Sequence, residues 1–244
     1  MAKFKLFAGR KGKADQAKNN QFVKIAREIH AAVRASGPNP DANFALRTAI
    51  TNGRAIQMPV DSIERAIKKA SGADAANTNY EEIIYEGYGP GGVAILVKCL
   101  TDNRNRTAAD VRSAFNKRGG NMGESGCVSY MFDQKGVITV SKEDYEDEDE
   151  MLMQALEAGA DELLTHEEEY EVLTAPADFE TVKNTLEKAG IKGTNASVRW
   201  VPQNYVQVSG DNAKNLMKMM ASFDENDDVQ DVYANFEIDD AELG

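Results

Sequence analysis

The chain has 244 residues, 42% of them hydrophobic and 28% charged, with a net charge of −12. That is ordinary for a globular protein with room for two or three small cores. No run approaches the roughly 20 apolar residues of a membrane helix, and two cysteines make no disulfide framework, so a membrane protein and a disulfide-stapled secreted domain are both excluded. The basic opening, MAKFKLFAGRKGK, has an apolar stretch far shorter than a secretory core of about 7–15 residues, and the expected compartment is the cytoplasm.

The charge is unevenly spread. Residues 1–72 carry 14 Lys/Arg against 5 Asp/Glu, residues 73–140 carry 7 against 8, and residues 141–244 carry 7 against 27. Phosphate attracts the first segment and repels the last, so a nucleic acid would be gripped from the N-terminal end; charge alone fits equally two solvated surfaces of opposite bias.

In chain order, Phe22, Ile25, Ala26, Ile29 and Val33 recur at helical spacing and predict an amphipathic helix over 15–35, with Lys24, Arg27 and Arg34 on another face. Gly37, Pro38 and Pro40 break it. Pro40 is placed to open a second helix capped by Asn39, which carries Phe44, Leu46 and Ile50 and puts Arg47 and Arg54 seven residues apart on one face. Pro59 opens a third, with Ile63 and Ile67 inward and Arg65, Lys68 and Lys69 outward. These basic faces, with Lys3, Lys5, Arg10, Lys11 and Lys13 of the tail, form the candidate phosphate-binding surface.

After a polar linker at 73–79 the period changes to that of strands. Strands are predicted at 82–86 and 93–100 around the turn GYGPGG, then a helix at 107–117 and a strand at 127–132 that takes in Cys127. The order strand 136–140, helix 148–158, strands 162–166 and 170–174, helix 178–189 and strand 197–201 is βαββαβ, the ferredoxin-like unit. A strand at 205–208, helix at 212–223 and strand at 229–236 complete a second such unit around the first. The expected architecture is α+β: a basic helical domain at 1–76, an α+β domain at 77–133 plus 203–244, and an acidic α+β domain inserted at 134–202.

Motifs for chemistry fail on context. Gly87, Gly89 and Gly92 match G-x-G-x-x-G, but a strand follows where a dinucleotide site needs a helix, and Pro90 removes a backbone donor. There is no G-K-[ST] and no G-x-S-x-G. His30 and His166 lie far apart with no ligand spacing, and the run 143–150 reads as an acidic helix start. No enzyme, cofactor, metal, small-molecule substrate or membrane is expected. The segment TDNRNRT at 101–107 joins a strand end to a helix start, where backbone N–H groups favour an anion. Arg104 and Arg106 there suit phosphate or a base edge, and equally a capping turn with exposed arginines.

The stretches MPVDSIERAIKKASG, YEEIIYEGYGPGGVAILVKCLTDNRNRTAADVR and GGNMGESGCVSYMFDQKGVI resemble the YebC/PmpR family, and the resemblance runs from about residue 15 to the end. It implies an N-terminal helical domain, two α+β domains and a cytoplasmic regulator of gene expression. Members are described as transcriptional regulators that bind promoter DNA, and also as translational activators acting with ribosomes. The expected partner is therefore promoter DNA or ribosomal RNA, the ribosome included. The chain departs from the family at its start: a GHSKW-like segment is replaced by MAKFKLFAGRKGK, which keeps the positive charge but not the histidine or tryptophan.

Overall fold

The computed structural model describes residues 11–72 and 79–239, with side chains from residue 18 on. The chain divides into two compact units, one from residues 1–130 with 204–244, the other from residues 131–203.

The first unit begins with three helices: α1 (Lys11–Ser36), α2 (Phe44–Ala55) and α3 (Val60–Ser71). Ile25, Ile29, Val33, Leu46, Ala49, Met58 and Ile63 close their core, as the helical period requires. Gly53 sits where α2 crosses α1, since a Cβ there would stand 3.2 Å from Ile25 Cγ2. The cap of α2 differs from expectation. Asn39 closes only a local turn, accepting from the Asp41 N–H, while Asn43 caps the helix by accepting from the Leu46 N–H at 3.0 Å. Asn43 is buried, and its amide also donates to the carbonyls of Ala32 (2.7 Å) and Gly37 (2.8 Å). One side chain thus starts α2 and satisfies the end of α1. The helix starts four residues later than Pro40 would set it, and Phe44 at its first position is 57% exposed beneath the Arg47 guanidinium.

The same unit continues with β1 (Glu81–Tyr88), β2 (Ala94–Thr101), α4 (Arg104–Lys117) and β3 (Asn121–Met122). Gly91 and Gly92 turn the β1–β2 hairpin at positive φ, 77° and 78°. The second unit follows as β4 (Phe132–Ser141), α5 (Glu148–Glu157), β5 (Glu162–Thr165), β6 (Glu169–Thr174), α6 (Phe179–Lys188) and β7 (Asn195–Pro202). Its antiparallel sheet has the order β5-β6-β4-β7, the ferredoxin-like βαββαβ arrangement, around Ile138, Met151, Tyr170, Val172, Val182 and Leu186. The chain returns to the first unit with β8 (Val206–Gln207), α7 (Gly210–Asp224), β9 (Val229–Ala234) and β10 (Phe236–Glu237).

The first unit's sheet, β3-β1-β2-β9, packs on α4 and α7 through Ile95, Val97, Phe115, Leu216, Met219 and Phe223. It keeps the α+β layout with one exchange. The strand position that 205–208 would fill is occupied by β1, and β8 pairs instead with β10, in parallel. The strand expected at 127–132 is also absent: Ser129–Met131 form one 3₁₀ turn, and Phe132 opens β4. The cause is Glu86, whose buried carboxylate takes the N–H groups of Gly126, Val128 and Ser129 at 2.7–2.9 Å, leaving them unavailable to a ladder. Cys127 is accordingly half-buried, while Cys99 is buried in β2.

Asn43→Ala removes a cap and leaves two helix-end carbonyls without their donor. We expect a loss of about 2 kcal/mol or more in chemical denaturation, against a few tenths for Asn39→Ala.

Candidate nucleic-acid interface

The basic residues singled out in the sequence have two fates. Lys24, Arg27 and Arg106 turn toward the protein. Asp228, at the start of β9 and 3% exposed, accepts from Arg27 Nη1, from Arg106 Nη2 (2.8 Å) and Nε (3.2 Å), and from Thr107 Oγ1 (2.6 Å). Its backbone carbonyl takes the Leu100 N–H at 2.8 Å. Burial alone would raise the Asp228 carboxyl, but the hydrogen bonds from Thr107, Arg106 and Arg27 outweigh it and hold it below the usual carboxylate range. Arg106 also reaches Asp102 at 2.9 Å, and Lys24 pairs with Asp224 at 3.2 Å. Arg27 lies over the Tyr80 ring.

The 101–107 segment is therefore only briefly a loop. Asn103 caps α4 through the Arg106 N–H, so both arginines stand in the helix's first turn. Arg106 is engaged with carboxylates; Arg104 is exposed, and its backbone carbonyl accepts from Tyr85 Oη. The sequence could not assign Asp228 to this place, because its partners lie more than 120 residues away along the chain.

Arg34, Arg47, Arg54, Arg65, Lys68 and Lys69 are exposed, and none forms an ion pair with a described residue. Arg47 and Arg65 are held by backbone carbonyls of Pro40 and Asp61, which fixes the side chain while leaving the charge unneutralised. Arg65, Lys68 and Lys69 share one face of α3 at i, i+3 and i+4. Arg34 and Lys69 both act on the buried His30, whose pKa is lowered by burial first and then by these two cations. The ends of α1 and α3 thus bring two positive charges to one imidazole. Lys3, Lys5 and Arg10 lie outside the described residues; Lys11 and Lys13 fall in the first turn of α1.

The net charge has a structural address. The inserted unit, residues 131–203, holds 18 Asp/Glu against 6 Lys/Arg, a balance equal to the whole chain's −12. The rest of the chain is balanced. Among the described residues no cluster of His, Cys, Asp and Glu could hold a metal ion, and no helix is long and apolar enough to cross a membrane.

A second acidic site lies beneath α1. Burial, then Asp231 and Glu82, raise Glu28 to about 7 against the pull of Lys98, which bonds Glu82 at 3.1 Å. A carboxyl with a raised folded pKa contributes its full stability below the unfolded value of 4.5, and the contribution is lost as pH rises through about 7. Glu28→Gln should thus be near neutral at acid pH and stabilising by up to about 3 kcal/mol above neutrality, in denaturation curves taken across pH. Asp228→Ala strands a half-buried arginine and should cost about 3–5 kcal/mol. Arg106→Ala should lower the melting temperature clearly, and Arg104→Ala should leave it within about a degree or two, the expectation for a surface change of about 0.5 kcal/mol.

Residues 2–73 match the family model described as the TACO1/YebC N-terminal domain, and residues 80–236 that described as the TACO1/YebC second and third domain. A "probable transcriptional regulatory protein" of Geobacillus thermodenitrificans is 49% identical over 97% of this chain and 96% of its own length. One of the same description from Geobacter sulfurreducens is 52% identical over 96% of this chain and 94% of its own. The crystal structure of a conserved hypothetical protein from Aquifex aeolicus, 44% identical, superposes with a TM-score of 0.82 over 97% of this chain and 98% of that one. With both models matched in order and identity near one half along the full length, the chain belongs to the TACO1/YebC family.

Proposed function

We propose that the chain is a non-enzymatic, nucleic-acid-binding regulator of gene expression in the cytoplasm, gripping phosphates with its helical module. The observation that carries this is the separation of cations into two sets. Lys24, Arg27 and Arg106 are consumed by internal carboxylates, while Arg34, Arg47, Arg54, Arg65, Lys68 and Lys69 remain exposed without acidic partners among the described residues. A protein of net charge −12 that keeps six such cations on one small module keeps them for an anion. Arg104, exposed at the N-terminal turn of α4, belongs to the same reading, as do Lys3, Lys5, Arg10, Lys11 and Lys13. Duplex DNA is the target that the relatives' description as transcriptional regulators favours.

The inserted unit favours a second reading, binding to ribosomal RNA in translation. An acidic surface of this size repels a long duplex laid across it but fits a ribosome, which offers basic proteins as well as RNA. The helices also present no Asn/Gln/Arg set for reading base edges, which suits recognition by shape and phosphate.

Lys68→Gln with Lys69→Gln should weaken binding about equally for all sequences and reduce the salt slope by about one for each phosphate no longer neutralised. His30 supplies an internal reporter. A phosphate seated at Arg34 and Lys69 offsets their field, so the imidazole's NMR titration should move to higher pH on saturation with nucleic acid. An unmoved His30 titration, or a fragment of residues 73–244 that binds as tightly as the whole chain, removes the helical module from the interface. Competition of a promoter fragment and a ribosomal RNA fragment against random duplex separates the two targets. Sequence-specific regulators prefer their site by roughly 10³–10⁷-fold.

A further inference from the structure

The segment after α4 is clamped to the end of β1 along its length. Gly120 lies so close that a Cβ would stand 2.6 Å from the Tyr88 carbonyl oxygen, and one on Gly87 would stand 2.5 Å from that of Asn121. Glu86 holds Gly126, Val128 and Ser129 by their N–H groups, and Tyr88 Oη donates to the Cys127 carbonyl at 3.2 Å. What this rigid loop displays is aromatic. Tyr130 is 68% exposed and Tyr88 37% exposed. The two phenols are neighbours: the Tyr130 hydroxyl, ahead of any burial, raises the Tyr88 pKa.

We propose that Tyr130 and Tyr88 form a stacking platform for an unpaired base of single-stranded RNA, on the segment that follows Lys117 and Arg118 of α4. This rests on the nucleic-acid reading above and adds to it a second contact of different chemistry. An exposed aromatic ring on a pre-ordered loop loses little conformational freedom on binding, and every base offers a face to stack on. The surroundings fit a nucleotide better than a protein. Between Lys117 and Tyr130 the exposed neighbours are Asn121, Ser125, Gly119 and Gly126, with Glu124 as the single acid and no exposed aliphatic side chain. A protein-docking patch carries an apolar centre, and this segment exposes no aliphatic side chain to form one. Gly119 and Gly126 have open space where a side chain would stand, so backbone polar groups are accessible to a base edge or a sugar hydroxyl. The local balance of two cations to one carboxylate is too slight for phosphate capture to be the main term.

The test measures fluorescence anisotropy of the full chain with a labelled oligouridylate and with a blunt RNA duplex, across salt. Tyr130→Ala should weaken the single strand roughly tenfold, with duplex affinity and salt slope unchanged. Tyr130→Phe, which keeps the ring, should bind as the unaltered chain does. Lys68→Gln with Lys69→Gln should weaken both probes and lower the slope. The inference is overturned if Tyr130→Ala binds oligouridylate normally, if it weakens the duplex equally, or if Tyr130→Phe loses as much as alanine does. Failure of the unaltered chain to bind either probe overturns the RNA reading of its function, and this inference with it. Loss in the lysine variant without loss in Tyr130→Ala overturns the stacking site alone.

Discussion

Asp228 gathers more of the first unit than any other described side chain. Through it α1 is tied to the start of β9, the end of β2 and the first turn of α4, four elements drawn from both ends of the sequence. A carboxylate this deep is tolerable only because its oxygens receive donors from Arg27, Arg106 and Thr107. Removing either arginine leaves the buried acid under-compensated, removing the Thr107 hydroxyl leaves one of its oxygens short of a donor, and removing the acid leaves two cations facing each other. The orientation of the helical module toward the sheet thus rests on an electrostatic knot as well as on apolar packing. The half-buried carboxyl of Glu28, nearby under α1, works against that docking at neutral pH.

The knot also decides what the surface can do. Cations neutralised internally offer less charge to a ligand, and of those singled out in the sequence the unpaired ones lie on α2, α3, the end of α1 and the first turn of α4. The acidic surplus is held in the inserted unit, while the rest of the chain is balanced and gathers many of its cations in the N-terminal helices. A chain acidic overall can in this way present a locally basic surface.

Much of this architecture is legible in the sequence because it depends on short-range periodicity. The apolar stripe of α1, the βαββαβ order of the inserted unit and the exposed face of α3 all follow from residues within one or two turns of each other. The features that are not legible depend on long-range competition. Asn39 and Asn43 are equally good caps locally; Asn43 is used because only it also reaches the open carbonyls of α1. The run at 127–132 has strand composition, but Glu86 diverts its N–H groups from forty residues upstream. Arg27 and Arg106 read as surface cations because Asp228 stands 201 and 122 residues away. Tyr130 sits in a stretch that reads as a buried strand, and its exposure follows from the same diversion.

The manner in which the second unit is spliced into the first has a consequence for its ancestry and engineering. Its entering strand, β4, and its departing strand, β7, are direct antiparallel neighbours, with Phe132 opposite Pro202 and the Gln203 N–H bonded to the Met131 carbonyl at 3.0 Å. The two junctions therefore stand one strand spacing apart, about 5 Å, a gap that a two-residue hairpin turn spans. To the parent unit, seventy-three inserted residues look like a tight turn, since their own ladder closes the loop. Such a body can be gained, lost or exchanged by recombination at a single surface position. A chain carrying a short turn in its place should retain the β1–β2–β9 sheet while shedding the whole of the molecule's net negative charge.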